Sequence, residues 1–400
     1  MTRPILLLMT IASGLSAAGM YFAQPLLAVL RDALHMSATA AGLTVTAGQV
    51  GYAIGLALLV PLGDRVSRRG LAAALLAATS LSLLVAGCAP SGAVLLIATG
   101  LAAATAVGAQ VLVPFAAELS APDHRARNIS VVMSGVLLGG LLGRAASGAL
   151  ADTLGWRTVY WFTAAALAIM AVLVVRMLPR TEPSDLPQPS LPHYLRSTAL
   201  LLRDLPALRR PVAVAAATMA GYSVQLSALT MLLSEAPYHW GPGRIGMFGL
   251  VGVIGLASMT FAARIVDRGH IRTVLIAGVA LELVAWTVMI PAGSGQLSWL
   301  VVGMVLINLG QTAMLNAAQS ASYELRPDAR GRINAVFMTL FFAAGAIGSA
   351  VTPTVWAHGH WPGVCFLGAT TAGVALLLAT LRSRQAATAT PTTSAKRPAR

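Results

Sequence analysis

The sequence predicts an all-α integral membrane protein, with twelve transmembrane helices in two six-helix halves related by pseudo-symmetry. Three observations lead there. The 400 residues are 57% hydrophobic and only 10% charged, against about 25% charged in an average soluble domain. The apolar residues gather in twelve runs, each close to the length at which a helix crosses a bilayer, about 20 residues. The second half of the chain also repeats landmarks of the first at a nearly constant spacing.

The runs lie near 5–30, 41–63, 70–89, 92–117, 129–151, 156–178, 211–234, 244–266, 271–292, 297–321, 333–356 and 361–382. They are expected to be helices, because a helix satisfies its backbone hydrogen bonds internally where lipid offers no partner. The short alternating segments of a membrane barrel are absent. Run 5–30 is too long for a secretory signal core, and eleven further runs follow it. Run 129–151 contains "GLLGRAASG" (140–148), which sets Arg144 about two-thirds of the way along an apolar segment. A charge at a helix centre costs about 2.5–3.5 kcal/mol, so Arg144 should face protein or water and find an acceptor. Gly135, Gly139, Gly143 and Gly148 give the same run a small-residue face suited to close helix packing.

Four regions follow: a first half, 1–178; a linker, 179–210; a second half, 211–382; and a tail, 383–400. The linker begins Pro-rich and polar, then becomes a basic amphipathic stretch from Leu195 to Arg210 that suits a membrane surface. The tail is Ala, Thr and Pro with basic residues, a composition that predicts disorder.

The net charge of +14 orients the chain. Twenty-three of its twenty-seven basic residues fall in the termini, the linker and alternate short loops, while the opposite loops hold only Arg31, Arg157 and Arg244. This is the positive-inside bias, and it predicts both termini in the cytoplasm with no role in nucleic-acid binding. Cys88 and Cys365 lie far apart and read as small apolar residues. "HGH" (358–360) sits in a loop without a third ligand, so no metal and no cofactor are expected. H-E-x-x-H, G-x-S-x-G and an intramembrane Asp pair are all missing, which argues against an enzyme. A sensor or channel is disfavoured by the repeat and by the lack of a soluble ligand-binding domain.

The repeat is ordered. Tyr21 and Gln24 match Tyr222 and Gln225, 201 residues on; "GDR" ending at Arg65 matches "VDR" ending at Arg268, 203 on. "DHRAR" (123–127) matches "DARGR" (328–332), Met133 matches Met338 and Trp156 matches Trp361, all 205 on. Same-orientation repeats of six spans are the trace of a parallel-repeat transporter.

"PLGDRVSRR" (61–69) resembles the loop between helices 2 and 3 of the major facilitator superfamily, roughly G-x-x-x-D-R-x-G-R-R. Asp64, Arg65, Arg68 and Arg69 match; Val60 and Ser67 replace the two glycines. "YFAQPLL" (21–27), "VPFAAEL" (113–119) and "SGVLLGGLLGRAASG" (134–148) look like the arabinose-efflux-permease-like branch of its 12-helix bacterial drug and sugar exporters. In the helix 5 antiporter pattern, G-x-x-x-G-P-x-x-G-G, Arg144 replaces the proline and Ser147 a glycine.

The resemblance implies a monomeric secondary transporter of the bacterial cytoplasmic membrane. Its partners would be the lipid bilayer, a small-molecule substrate and protons, and its direction export. Uptake or facilitated transport of a small anionic or hydroxylated metabolite is the alternative. It also implies a conformational latch at Asp64, Arg65, Arg68, Arg69 and Glu118, with Asp267, Arg268 and Glu324 as second-half counterparts. Helices 1 and 7 line the central cavity in the family. That directs attention to Tyr21, Gln24, Tyr222 and Gln225, and with them Gln49, Gln110 and Arg144. Arginine keeps its proton in a protein, so coupling requires an acid. Glu282, the one carboxylate deep in a run, and Asp32, near the outer end of helix 1, are the candidates.

Overall fold

In a computed structural model the chain folds as a bundle of helices, with no strand among the described residues, which are 2–180, 191–326 and 329–381. Side chains at 64, 191–195, 199 and 256–260 are not described. The first half holds α1 (Arg3–Gly19), α2 (Ala23–Ala33), α3 (Ala38–Leu58), α4 (Arg68–Gly87), α5 (Gly92–Thr105), α6 (Gly108–Glu118), α7 (Arg125–Leu154) and α8 (Trp156–Met177). After α9 (Leu191–Asp204) come α10 (Pro206–Ser234), α11 (Pro242–Phe248), α12 (Ile254–Asp267), α13 (Ile271–Val288), α14 (Leu297–Leu325) and α15 (Arg330–Thr380).

Among the described residues, nine helices are long and apolar enough to cross a membrane, ten if α1 and α2, bent by 44°, form one span. The difference from twelve has two physical causes. Helical hydrogen bonding runs on through a kink at His360 (φ 46°, ψ −149°), so one element, α15, holds the run 333–356 and, as far as Thr380, the run that begins at 361. The run 244–266 is cut into α11, a 3-10 turn at Gly249–Val253 and α12, each too short by itself.

Element ends follow local chemistry. Ser67, where the family loop carries glycine, has an extended backbone with negative φ (φ −57°, ψ 124°), which needs no glycine, and caps α4 by accepting from the Gly70 N–H at 3.3 Å. Ser37 caps α3 in the same way through the Ala40 N–H, at 3.1 Å. Pro206 opens α10 at a position that needs no N–H. The amphipathic stretch therefore ends at Asp204, and Arg209 and Arg210 belong to α10 rather than to the linker helix. Residues 181–190 and the tail from 382 onward lie outside the described residues.

The repeat reappears in the backbone. His35 and His239, 204 residues apart, both have φ 51°. Gly155 (φ 86°) and His360 (φ 46°), 205 apart, each precede a tryptophan, Trp156 and Trp361. In the first half Arg69 donates to the carbonyl of Leu178, just past the end of α8, at 3.1 Å. In the second, Arg272 donates to the carbonyl of Thr380, at the end of α15, at 2.9 Å. Helix C-termini leave carbonyls unpaired and carry partial negative charge, so a cation there satisfies both.

Candidate functional site

Close backbone contact sets the site's floor. A Cβ on Gly135 or Gly139 would run into the carbonyls of Thr10 and Gly14, and one on Gly143 would lie 2.7 Å from the Ala18 Cβ. The small face of α7 thus packs against α1, within one half. Only its far end meets the other half, where Gly148 abuts the carbonyl of Pro242.

Two broken helices meet over this floor. The first break, at Met20–Phe22 between α1 and α2, carries Tyr21. Its ring lies across α7, 3.2 Å from where a Gly140 Cβ would stand and 4.8 Å from the Arg144 guanidinium carbon. The second break is the 3-10 turn 249–253. Gly246, Gly249, Gly252 and Gly255 recur every three residues, the period of a 3-10 helix, and so tend to form one smooth ridge. Gly246 faces the Arg144 carbonyl and Gly249 the Arg144 side chain, where an added Cβ would stand 3.7 Å from Cδ; Cβ atoms on Gly252 and Gly255 would stand 3.2 and 3.1 Å from Asn308. Asn308 in turn accepts from the Tyr222 hydroxyl at 3.2 Å. Tyr52 and Tyr222 are electrostatic neighbours of Tyr21, and Gln110 reaches the Tyr52 hydroxyl at 3.4 Å.

The structure therefore brings together Tyr21, Arg144, Tyr222 and Gln110 of the residues expected in a cavity, and adds Tyr52 and Asn308. Arg144 forms no ion pair among the described residues, and its Nε is buried without a hydrogen bond. The cation–π contact with Tyr21 contributes roughly 0.5–2 kcal/mol. That falls short of the roughly 2.5–3.5 kcal/mol that a mid-helix charge costs.

The other expected residues sit apart from this cluster. Gln49 donates to Ser223 across the halves at 2.9 Å. Thr46 and Ser349 bridge the same seam with hydroxyls 2.9 Å apart, and Thr230 donates to the Gln24 carbonyl at 2.8 Å. Gln225 is fully buried with its amide unpaired. The last cross-half bond runs from the Gly243 N–H to Asp152 Oδ2 at 2.8 Å. Between fully described residues, these bonds all lie midway or in the part of the bundle remote from the Arg-rich loops. A cavity of about 520 Å³ opens beside the Asp152 bond, lined by Ala149, Thr153, Trp240, Arg244 and Phe248, outside the Arg144 cluster.

On the side of the basic loops, Arg68 pairs with Glu118 at 3.5 Å within the first half. With Glu118 about half exposed, such a pair contributes at most about 1 kcal/mol. Arg65 donates to the Pro61 carbonyl at 3.0 Å, and the Asp64 side chain lies outside the described residues. Asp267, Arg268 and Glu324 are exposed and form no ion pair with one another among the described residues. Asp32 is 70% exposed and paired with Arg31. Glu282 is 1% exposed, its Oε1 without a hydrogen bond, packed against Gly310 where α13 crosses α14. No group of three metal-binding side chains occurs among the described residues.

A helical bundle whose halves close on one side over a broken-helix core is a transporter architecture, and sequence comparison agrees. The family model of the Major Facilitator Superfamily matches residues 9–349 and 239–400. The chain belongs to the Major Facilitator Superfamily. This major facilitator is 36% identical over 385 residues to the uncharacterized transporter YgaY of Escherichia coli O157:H7, covering 94% of this chain and 97% of that one. Its fold is similar to the human organic anion transporter MFSD10 (TM-score 0.72, 16% identity, 94% and 99% of the two chains). It is similar also to a D-xylose–proton symporter (TM-score 0.71, 17% identity, 94% and 96%). The protein is a multi-pass membrane transporter, and the superfamily is one of transporters rather than enzymes.

Proposed function

We propose that this protein exports a small molecule, a drug, sugar or metabolite, by alternating access driven by the proton gradient. It would act as a monomer with twelve crossings in a bacterial inner membrane, both termini cytoplasmic. The observation that carries this reading is the meeting of two broken helices over Arg144. In transporters, discontinuous helices line the substrate site near the midplane, at the interface of the repeats. The placement of the basic loops supports the orientation. On that orientation the cross-half bonds close the outer side, and the substrate would enter from the cytoplasm. Asp64, Arg65, Arg68, Arg69 and Glu118, with Asp267, Arg268 and Glu324, would close the inner side in the opposite state.

Counterflow in proteoliposomes against a panel of sugars, amino acids, organic anions and cationic drugs tests the transport reading. Accumulation of at least one labelled compound is expected; no exchange of any compound would defeat it.

Glu282 is our choice for the proton. Asp32 is engaged by Arg31 at the surface, whereas Glu282 is buried with one oxygen unpaired. A coupling carboxyl is needed for proton-driven accumulation and not for exchange of one substrate molecule for another. Glu282→Gln should therefore lose accumulation driven by an imposed pH gradient and keep counterflow. A mutant that retains both activities removes Glu282 from the mechanism.

A further inference from the structure

We propose that the cargo is a small organic anion whose acidic group binds the Arg144 guanidinium beside Tyr21. This rests on the transport reading above and specifies its substrate class. Arg144 is the one basic residue in the interior of an apolar run. The groups that surround it carry no negative charge. Along α7 it has Gly140 and Gly143; from the α1–α2 break, Tyr21; from the second half, Gly249 against its side chain and Gly246 against its carbonyl. The titratable groups nearby are phenols: Tyr21, and beyond it Tyr52 and Tyr222. The one deep carboxylate, Glu282, is packed at the α13–α14 crossing.

The site thus holds a permanent positive charge whose Nε–H is buried without a hydrogen-bond partner. A guanidinium presents its donors as a planar fork that matches a carboxylate, sulfonate or phosphate bidentately. A cationic cargo would be repelled. A neutral cargo would leave the charge as unpaired as before. An anion supplies the missing partner, and its body would lie beside the rings of Tyr21, Tyr52 and Tyr222. Those surroundings favour a flat or apolar body over a bare inorganic ion. Because the guanidinium lies where the two halves meet, the bound anion would also be contacted from both.

Thermal unfolding of the purified full-length protein, alone and with matched probes, tests this. The probes are benzenesulfonate and phenyl phosphate as anions, benzamide as neutral analogue and phenyltrimethylammonium as cation. The anions should raise the melting temperature and the other two should not. Arg144→Gln should abolish the rise. Arg144→Lys, which keeps the charge but loses the fork, should weaken anion affinity about tenfold or more. If the variants fail to fold, the ranking of probes on the wild type still decides. Equal stabilisation by the amide or the cation, no stabilisation by either anion, or an undiminished anion effect in Arg144→Gln would each overturn the proposal. The counterflow panel separates the two claims. Exchange of neutral or cationic compounds alone leaves the protein a transporter and removes the anion; exchange of nothing removes transport itself.

Discussion

Gly139→Val should leave little folded protein. At this position α1 and α7 touch backbone to backbone, so a Cβ would run into the Gly14 carbonyl, and no flexible side chain is there to yield. The helices would have to separate. That separation would also break the contacts at Gly135 and Gly143 on the same face. One added group in a packed core typically costs about 1–3 kcal/mol. With rigid backbone on both sides, the cost here should reach or exceed about 3 kcal/mol, a large share of the roughly 5–15 kcal/mol that holds a domain together. Detergent-solubilised Gly139→Val should elute mainly as aggregate in size-exclusion chromatography, and any monomer should melt well below the wild type. Wild-type yield and melting temperature would show that the α1–α7 contact has room for a side chain.

Asp152→Ala should open the seam on the side remote from the basic loops. The residue capping α11 is Gly241, which has no side chain to accept a hydrogen bond, and Pro242 brings no N–H. The Gly243 N–H would be an orphan but for Asp152, which reaches it from α7 in the other half. The carboxylate acts as a helix cap in trans. Losing a cap of this kind costs about 0.5–2 kcal/mol, and here the loss falls on the closed state alone. A loss of about 1 kcal/mol multiplies the open fraction about fivefold. The reporter is Ser223→Cys, fully buried at the seam, in a Cys88→Ser background. Its labelling by a water-soluble maleimide should speed up by about that factor in Asp152→Ala. Asp152→Asn keeps an acceptor oxygen and should stay near the wild-type rate. An unchanged rate in Asp152→Ala would mean that the bond does not hold the seam.

These two positions mark how far the sequence was legible. The glycines of α7 were readable as a packing face, because small residues at helical spacing have few other uses in a membrane. Their partner was not readable. They pack on α1 within one half, and only Gly148 reaches the second. Apolar length located the spans, but it says nothing about interruptions. Pro25 has no N–H to give the Tyr21 carbonyl, which marks the first break locally, and the three-residue spacing of Gly246, Gly249, Gly252 and Gly255 marks the second. The repeat singled out Tyr21 and Tyr222, and the odd charge singled out Arg144; the structure gathers these three. Tyr52 and Asn308 had no charge or repeat partner to mark them, since a tyrosine or asparagine in a span most often serves helix association. Gln24 and Gln225, sharing the repeat with the tyrosines, lie instead by the seam or in the buried core, a few residues further along the same helices.

The claim on which the rest depends is that the two halves must part at the seam for substrate to cross. Thr46 and Ser349 face each other there with hydroxyl oxygens 2.9 Å apart, so cysteines at both positions could form a disulfide, whose sulfurs lie about 2.05 Å apart. The decisive measurement is counterflow by Thr46→Cys/Ser349→Cys in the Cys88→Ser background, before and after oxidation, with a compound that the wild type exchanges. Exchange should stop when the disulfide forms and return on reduction. Undiminished exchange by fully cross-linked protein would contradict the account.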